Sequence, residues 1–196
     1  ILVMTLLSST AIALGQFTYS SPPLSEELDE RPDCELPCWN NLTPGEIHMA
    51  PARMITTRAG YQFQPLAERS PRSLNFAAQD ASRCDIRLDS EDALVTDITL
   101  YDCPSGKLGD VLLILGEPVG VRASTSVLVF REGAVTVTIR AWGCTQRLSQ
   151  HMPVTSIEIR EPMSDSDLQW RLVPWQGFAT NRYYFRQQQG ASLLRC

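Results

Sequence analysis

Cysteine supplies the most reactive side chains in this sequence, at Cys34, Cys38, Cys84, Cys103, Cys144 and Cys196. A thiol pair can close a disulfide, ligate zinc or act as a nucleophile, and its surroundings decide which. Zinc requires further ligands at matching spacing. Cys34-x-x-x-Cys38 has no such second pair, and the two histidines, His48 and His151, stand alone. A catalytic thiolate needs a base held beside it, and isolated histidines form no such motif. The even number of cysteines points to disulfides in an exported chain, but spacing does not choose their partners.

The remaining candidates are few. Lys107 is the only lysine among 17 basic residues, and no GxxxxGK[ST] surrounds it. The arginines are scattered and the net charge is −5, so a nucleic-acid partner is not expected. Asp97, Asp102 and Glu158 could serve a hydrolase, because two carboxyls with separated pKa values can cleave a glycosidic bond. Alternation places Asp97 and Glu158 on polar strand faces, where a solvated carboxylate is the ordinary state. HExxH, GxSxG and the dinucleotide-binding fingerprint are absent. No catalytic residue, cofactor or metal is therefore assigned. The aromatic tail is the remaining candidate surface, with Trp170, Trp175, Phe178, Tyr183 and Tyr184. Such rings can form a sugar- or peptide-binding platform, or pack across a sheet. Packing is the expected state.

The elements that must position these residues are clearest between Lys107 and Trp142. Leu108, Val111, Leu112 and Leu115 fall at i, i+3, i+4 and i+7, one stripe of a helix. Ser105 is the expected N-cap, Gly116 the stop, and Pro118 prevents continuation. Period two follows. Val127 to Phe130 and Val135 to Arg140 read as strands of a hairpin that turns at Glu132-Gly133. A fainter copy precedes it. Pro44-Gly45 makes a turn, and His48 to Ala59 reads as a helix with Ala50, Met54, Ile55 and Arg58 along one side. Gly60 ends it. Tyr61 to Leu66, Ser73 to Ala78, Cys84 to Leu88 and Leu94 to Tyr101 read as strands, with a polar turn at Asp89 to Asp92. Ile157 and Ile159 mark a further half-buried strand.

This organisation predicts an α+β protein of two fused helix-plus-antiparallel-sheet units, with helices covering one face of the sheet. The units span 36–104 and 105–186, the second carrying the aromatic tail, and 187–196 is expected to fray. Residues 1–15 read as a signal peptide or N-terminal hydrophobic segment, truncated on its left, whose apolar run is short for a membrane span. Residues 16–35, rich in Pro, Ser and acid, read as a solvated linker. The chain is expected outside the cytoplasm, secreted or tethered through that N-terminal segment.

One string is distinctive: Cys34-Glu35-Leu36-Pro37-Cys38-Trp39-Asn40-Asn41-Leu42-Thr43-Pro44-Gly45. With Leu108-Gly109-Asp110-Val111 and Leu115-Gly116-Glu117-Pro118 it resembles a group of uncharacterised exported bacterial proteins with an LPCW…PG…LGDV…LGEP pattern. Asn41-Leu42 stands where that pattern has Gly-Ile. The helix-then-hairpin unit also resembles, at fold level only, the repeats of β-lactamase-inhibitor-type domains and small outer-membrane assembly lipoproteins. The resemblance implies export and fold but no activity. The function expected is a non-catalytic binding or structural module, monomeric, whose partner is a protein or envelope component. The alternative is an extracytoplasmic hydrolase using acidic residues.

Overall fold

The computed structural model describes residues 24–28, 33–65, 72–122, 125–140, 145–162, 164 and 172–189. Their centre is one nine-stranded antiparallel sheet. Its strands are β1 (Tyr61–Gln64), β2 (Ser73–Ala78), β3 (Asp85–Glu91), β4 (Leu94–Tyr101), β5 (Gly120–Arg122), β6 (Val127–Phe130), β7 (Val135–Ile139), β8 (Val154–Arg160) and β9 (Val173–Pro174). The spatial order is β1-β2-β3-β4-β8-β7-β6-β5-β9. β1 to β4 form one meander and β5 to β8 another, and they meet where β4 lies beside β8. Four helices complete the described chain: α1 (Ser25–Leu28), α2 (Met49–Arg58), α3 (Leu108–Leu115) and α4 (Asn181–Gln189).

The register explains why these segments pair. Phe63, Phe76, Ile86, Leu100, Ile157, Val137, Leu128, Val121 and Val173 are successive cross-strand partners, one from each strand. All but Phe63 are buried. One residue along lies a second row: Gln64, Asn75, Arg87, Thr99, Glu158, Thr136, Val129, Gly120 and Pro174. A slip of one residue would exchange the two rows, so burial of the apolar row fixes the register. Burying each large apolar side chain contributes roughly 1.5–3 kcal/mol.

The turns follow local chemistry, with one shift from expectation. β3 and β4 are joined at Asp92-Ala93, both left-handed, with φ of 49° and 66°. That is the two-residue turn whose twist suits a hairpin. The turn expected at Asp89 to Asp92 thus lies later, because a bulge at Asp89/Ser90 lets β3 run through Glu91. The β6–β7 hairpin turns where expected, through a 3₁₀ turn at Arg131–Gly133, with Gly133 at φ 85°.

α2 occupies the expected span but buries a different side. Ala52 and Thr56 are its buried residues, whereas Met54 is 56 % exposed. Thr56 can be buried because its hydroxyl donates to the Ala52 carbonyl at 2.9 Å. α3 buries Leu108, Val111 and Leu115 as its stripe predicts. Its N-cap is Lys107 rather than Ser105, which sits in the preceding turn at φ 63°. The Asp110 carboxylate accepts the Lys107 backbone N–H at 3.2 Å. Gly60 and Gly116, at φ 94° and 79°, follow the two helices where the sequence placed stops.

Within the stretch read as a linker, the described segment 24–28 is packed. Leu24, Glu27 and Leu28 are buried, and α1 contacts α3. Glu27 pairs with Arg83 at 2.8 Å and accepts the Tyr61 hydroxyl at 2.8 Å. The Trp39 indole N–H donates to the Glu27 carbonyl at 2.8 Å. An acidic stretch can pack when one carboxylate finds a buried cation and the flanking leucines find the core. At the other end, α4 runs to Gln189, so Gln187–Gln189 continue a helix instead of fraying. Residues 1–15 and 190–196 lie outside the described residues.

Candidate functional site

α3 holds the most unusual apolar surface of the described chain. Its sequence, Leu-Gly-Asp-Val-Leu-Leu-Ile-Leu, is apolar almost all round, a composition that normally marks a helix buried on every side. Here one side packs and another does not. Leu113 is 67 % exposed. Beside it opens a cavity of about 410 Å³, walled by Leu112, Leu113 and Phe178 and edged by Lys107, Gln150 and His151. That volume falls in the range of small-ligand sites, about 300–1,000 Å³.

Two backbone contacts tie the first turn of α3 to residues 150–152 beside the cavity. The amides of Leu108 and Gly109 donate to the carbonyls of Met152 and Gln150, at 2.9 and 2.8 Å. A Cβ on Gly109 would lie 3.1 Å from both the Gln150 carbonyl oxygen and its Cβ. A side chain at 109 would therefore require Gln150 to move by a few tenths of an ångström. Residues 145–153 in turn lie against the tail: Leu148 N–H donates to Ala179 C=O, and Asn181 N–H to Gln146 C=O.

The aromatic tail divides between packing and exposure. Tyr184 is fully buried, donating its hydroxyl to Gly177 C=O at 2.7 Å and accepting the Gln176 N–H at 3.0 Å. Burial pushes its pKa up. Trp175 stacks on Tyr184 with ring centroids 6.3 Å apart, and Phe178 sets its ring across Trp175 at 6.1 Å. Phe178 and Tyr183 remain 44 % and 39 % exposed. Of the five aromatic candidates, Phe178 thus reaches the cavity, Tyr184 serves the core, and Trp170 lies outside the described residues. Sequence reading missed Leu113, Gln150 and His151. The available signal was Leu113 itself, a leucine off the buried stripe in a helix with almost no polar residue.

A second cluster sits on the outer face of the seam between the meanders. Asp97 and Arg160 are cross-strand partners, as are Thr99 and Glu158. Arg160 binds Glu158, approaches Asp97 at 3.6 Å, and Thr136 donates to Glu158 at 3.2 Å. Burial raises the Asp97 pKa, and the Glu158 charge adds to that rise. For Glu158, burial is the largest single influence and acts upward. The bonds and charge of Arg160, with bonds from Asp97 and Thr136, outweigh it and leave the pKa lowered. The fold brings these two candidate carboxyls together. It leaves Asp102 beyond the far end of β4, at φ 49°.

The sign of each shift sets a pH dependence. Folding favours protonated Asp97, so its contribution to stability is present at low pH and lost as pH rises above its ordinary 3.8 through the raised folded value. Glu158 acts oppositely: its contribution is lost as pH falls through its lowered folded value. Asp97→Asn is therefore expected to be more stable than the parent at neutral pH, with the gain vanishing near pH 3. Urea midpoints measured from pH 3 to 8 check this. A gain that is constant with pH would assign the effect to packing.

Among the described residues there are two disulfides, Cys34–Cys38 and Cys84–Cys103. Cys144 and Cys196 lie outside the described residues. Among the described residues no group of three His, Cys, Asp or Glu side chains could hold a metal ion. No described helix is long and apolar enough to cross a membrane. Compared with family models, curated proteins and solved structures, the chain matches none.

Proposed function

We propose that the chain is an extracytoplasmic, non-catalytic binding module, and that the cavity beside α3 is its binding site. The observation that carries this reading is a cavity with both apolar and polar lining whose wall includes Leu113, a side chain left two-thirds exposed. Exposed leucine and phenylalanine around a concave site are the groups that a ligand would cover. Disulfides persist in oxidising compartments, which supports export. The resemblance to exported LPCW…LGDV proteins is part of the same proposal.

The scaffold reads as a duplication. Each meander of four strands follows a helix that ends at a left-handed glycine, and the order 1-2-3-4 is mirrored as 8-7-6-5. A twofold relation between two helix-plus-sheet halves would produce this arrangement, with the helices on one face.

Nile red, a neutral apolar dye, tests the binding reading. The folded chain is expected to enhance its fluorescence at one site. Leu113→Glu should reduce that signal at least tenfold while leaving the circular dichroism spectrum and thermal midpoint unchanged, because the position is exposed. Equal dye binding by both proteins would overturn the reading.

The second reading, a hydrolase, has one observation in its favour: Asp97 and Glu158 are adjacent and their pKa values are pushed apart. Against it, Arg160 pairs with Glu158 and approaches Asp97 at 3.6 Å, and a structural ion-pair network shifts pKa values in the same way.

A further inference from the structure

We propose that the cavity beside α3 takes an apolar organic anion, a compact apolar body ending in a carboxylate. This rests on the binding-module reading and adds the chemistry of the ligand. Three observations converge. The wall formed by Leu112, Leu113 and Phe178 suits an apolar body. The cavity lining also carries Lys107, the only lysine of the chain, together with the polar side chains Gln150 and His151, whose Nε2 atoms lie 3.4 Å apart. Among the described residues no carboxylate pairs with Lys107, and the one acidic residue lining the cavity, Asp110, is engaged by the Lys107 backbone N–H.

The wider surroundings have the same sign. The chain has 22 acidic residues and a net charge of −5, yet 145–153 and 172–189 contain no aspartate or glutamate. They carry Arg147, Arg182 and Arg186 instead. These two segments lie side by side, with Arg147 bridged to Thr180 at the start of α4. An anion reaching the cavity meets Lys107, beside segments that carry arginine and no acid, and opposite charge raises both encounter rate and affinity. Among the described residues that line the cavity, Asp110 is the one carboxylate a cationic ligand would find.

The test compares acid and amide pairs by calorimetric titration of the full chain in low salt. N-acetyl-phenylalanine against its amide represents a chain-terminal carboxylate, and decanoate against decanamide represents a fatty acid. The acid of at least one pair is expected to bind tenfold or more tighter than its amide. Lys107→Met should abolish that preference, Lys107→Arg should retain it, and Leu113→Glu should abolish binding of acid and amide alike. Preference in the first pair alone assigns a peptide-like ligand, and in the second alone a lipid-like one. Equal binding of acid and amide in both pairs, or a preference that survives Lys107→Met, overturns the proposal. If Nile red still binds in that case, the binding-module reading stands and only the ligand chemistry fails.

Discussion

Arg83→Met is expected to destabilise the protein by about 3–5 kcal/mol, the usual cost of removing one partner from a buried ion pair. The Glu27 side chain is 1 % exposed, and among the described residues Arg83 is its one charged partner, bonded through both Nε and Nη2. The Arg83 guanidinium also lies 4.5 Å above the Tyr61 ring and donates to Ala59 C=O at 2.9 Å. It therefore ties α1, the end of α2 and β1 together. Removing it leaves a buried carboxylate held chiefly by the Tyr61 hydroxyl, whose pKa burial and Glu27 already push upward. The double variant Glu27→Gln/Arg83→Met should recover more than half of the loss, because a neutral amide can keep the Tyr61 bond. Urea denaturation of both variants decides it. If the double variant is no more stable than Arg83→Met, the buried charge is not what the arginine compensates.

Removing the Cys84–Cys103 disulfide has the second largest expected effect. It closes a loop with a sequence separation of 19, for which loop-closure entropy gives about 3 kcal/mol. Cys84 adjoins Arg83, and Cys103 lies near Leu24 at the turn before α3. The paired serine variant should therefore lower stability and also loosen the contact of α1 with the core. Hydrogen exchange at Leu28, whose N–H donates to Leu24 C=O at 3.0 Å, reports that loosening. Combined with Arg83→Met the losses should not add, since both changes release the same segment. Strict additivity would show that the disulfide and the ion pair act independently.

Much of the central element was legible because its signals are local. Leu108, Val111 and Leu115 repeat at helical spacing, Gly116 must follow a helix that stops, and Val135 to Ile139 alternate about a turn containing Gly133. Periodicity and turn chemistry act within a few residues, so they survive in the one-dimensional string. The buried side of α2 was not legible. Its apolar spacing is irregular, and Thr56 enters the core only because its hydroxyl finds the Ala52 carbonyl. The N-terminal acidic stretch misled for a related reason: its composition is that of a solvated spacer, and nothing local announces that Glu27 meets Arg83, 56 residues away.

Sequence by itself determined the kind and order of α2, α3, β1 to β4 and β6 to β8, and the absence of recognised catalytic motifs, whereas α1, β5, β9 and α4 were not read from it. Alternation also assigned Asp97 and Glu158 to a polar strand face. Tertiary structure decided the rest: that β4 and β8 join two meanders into one sheet, that Asp97 and Glu158 become neighbours at that seam, and that Leu113 stays exposed beside Phe178. Each of these depends on contacts between residues far apart in the chain. Such contacts are selected by the summed burial of a whole face, a quantity that no local pattern contains.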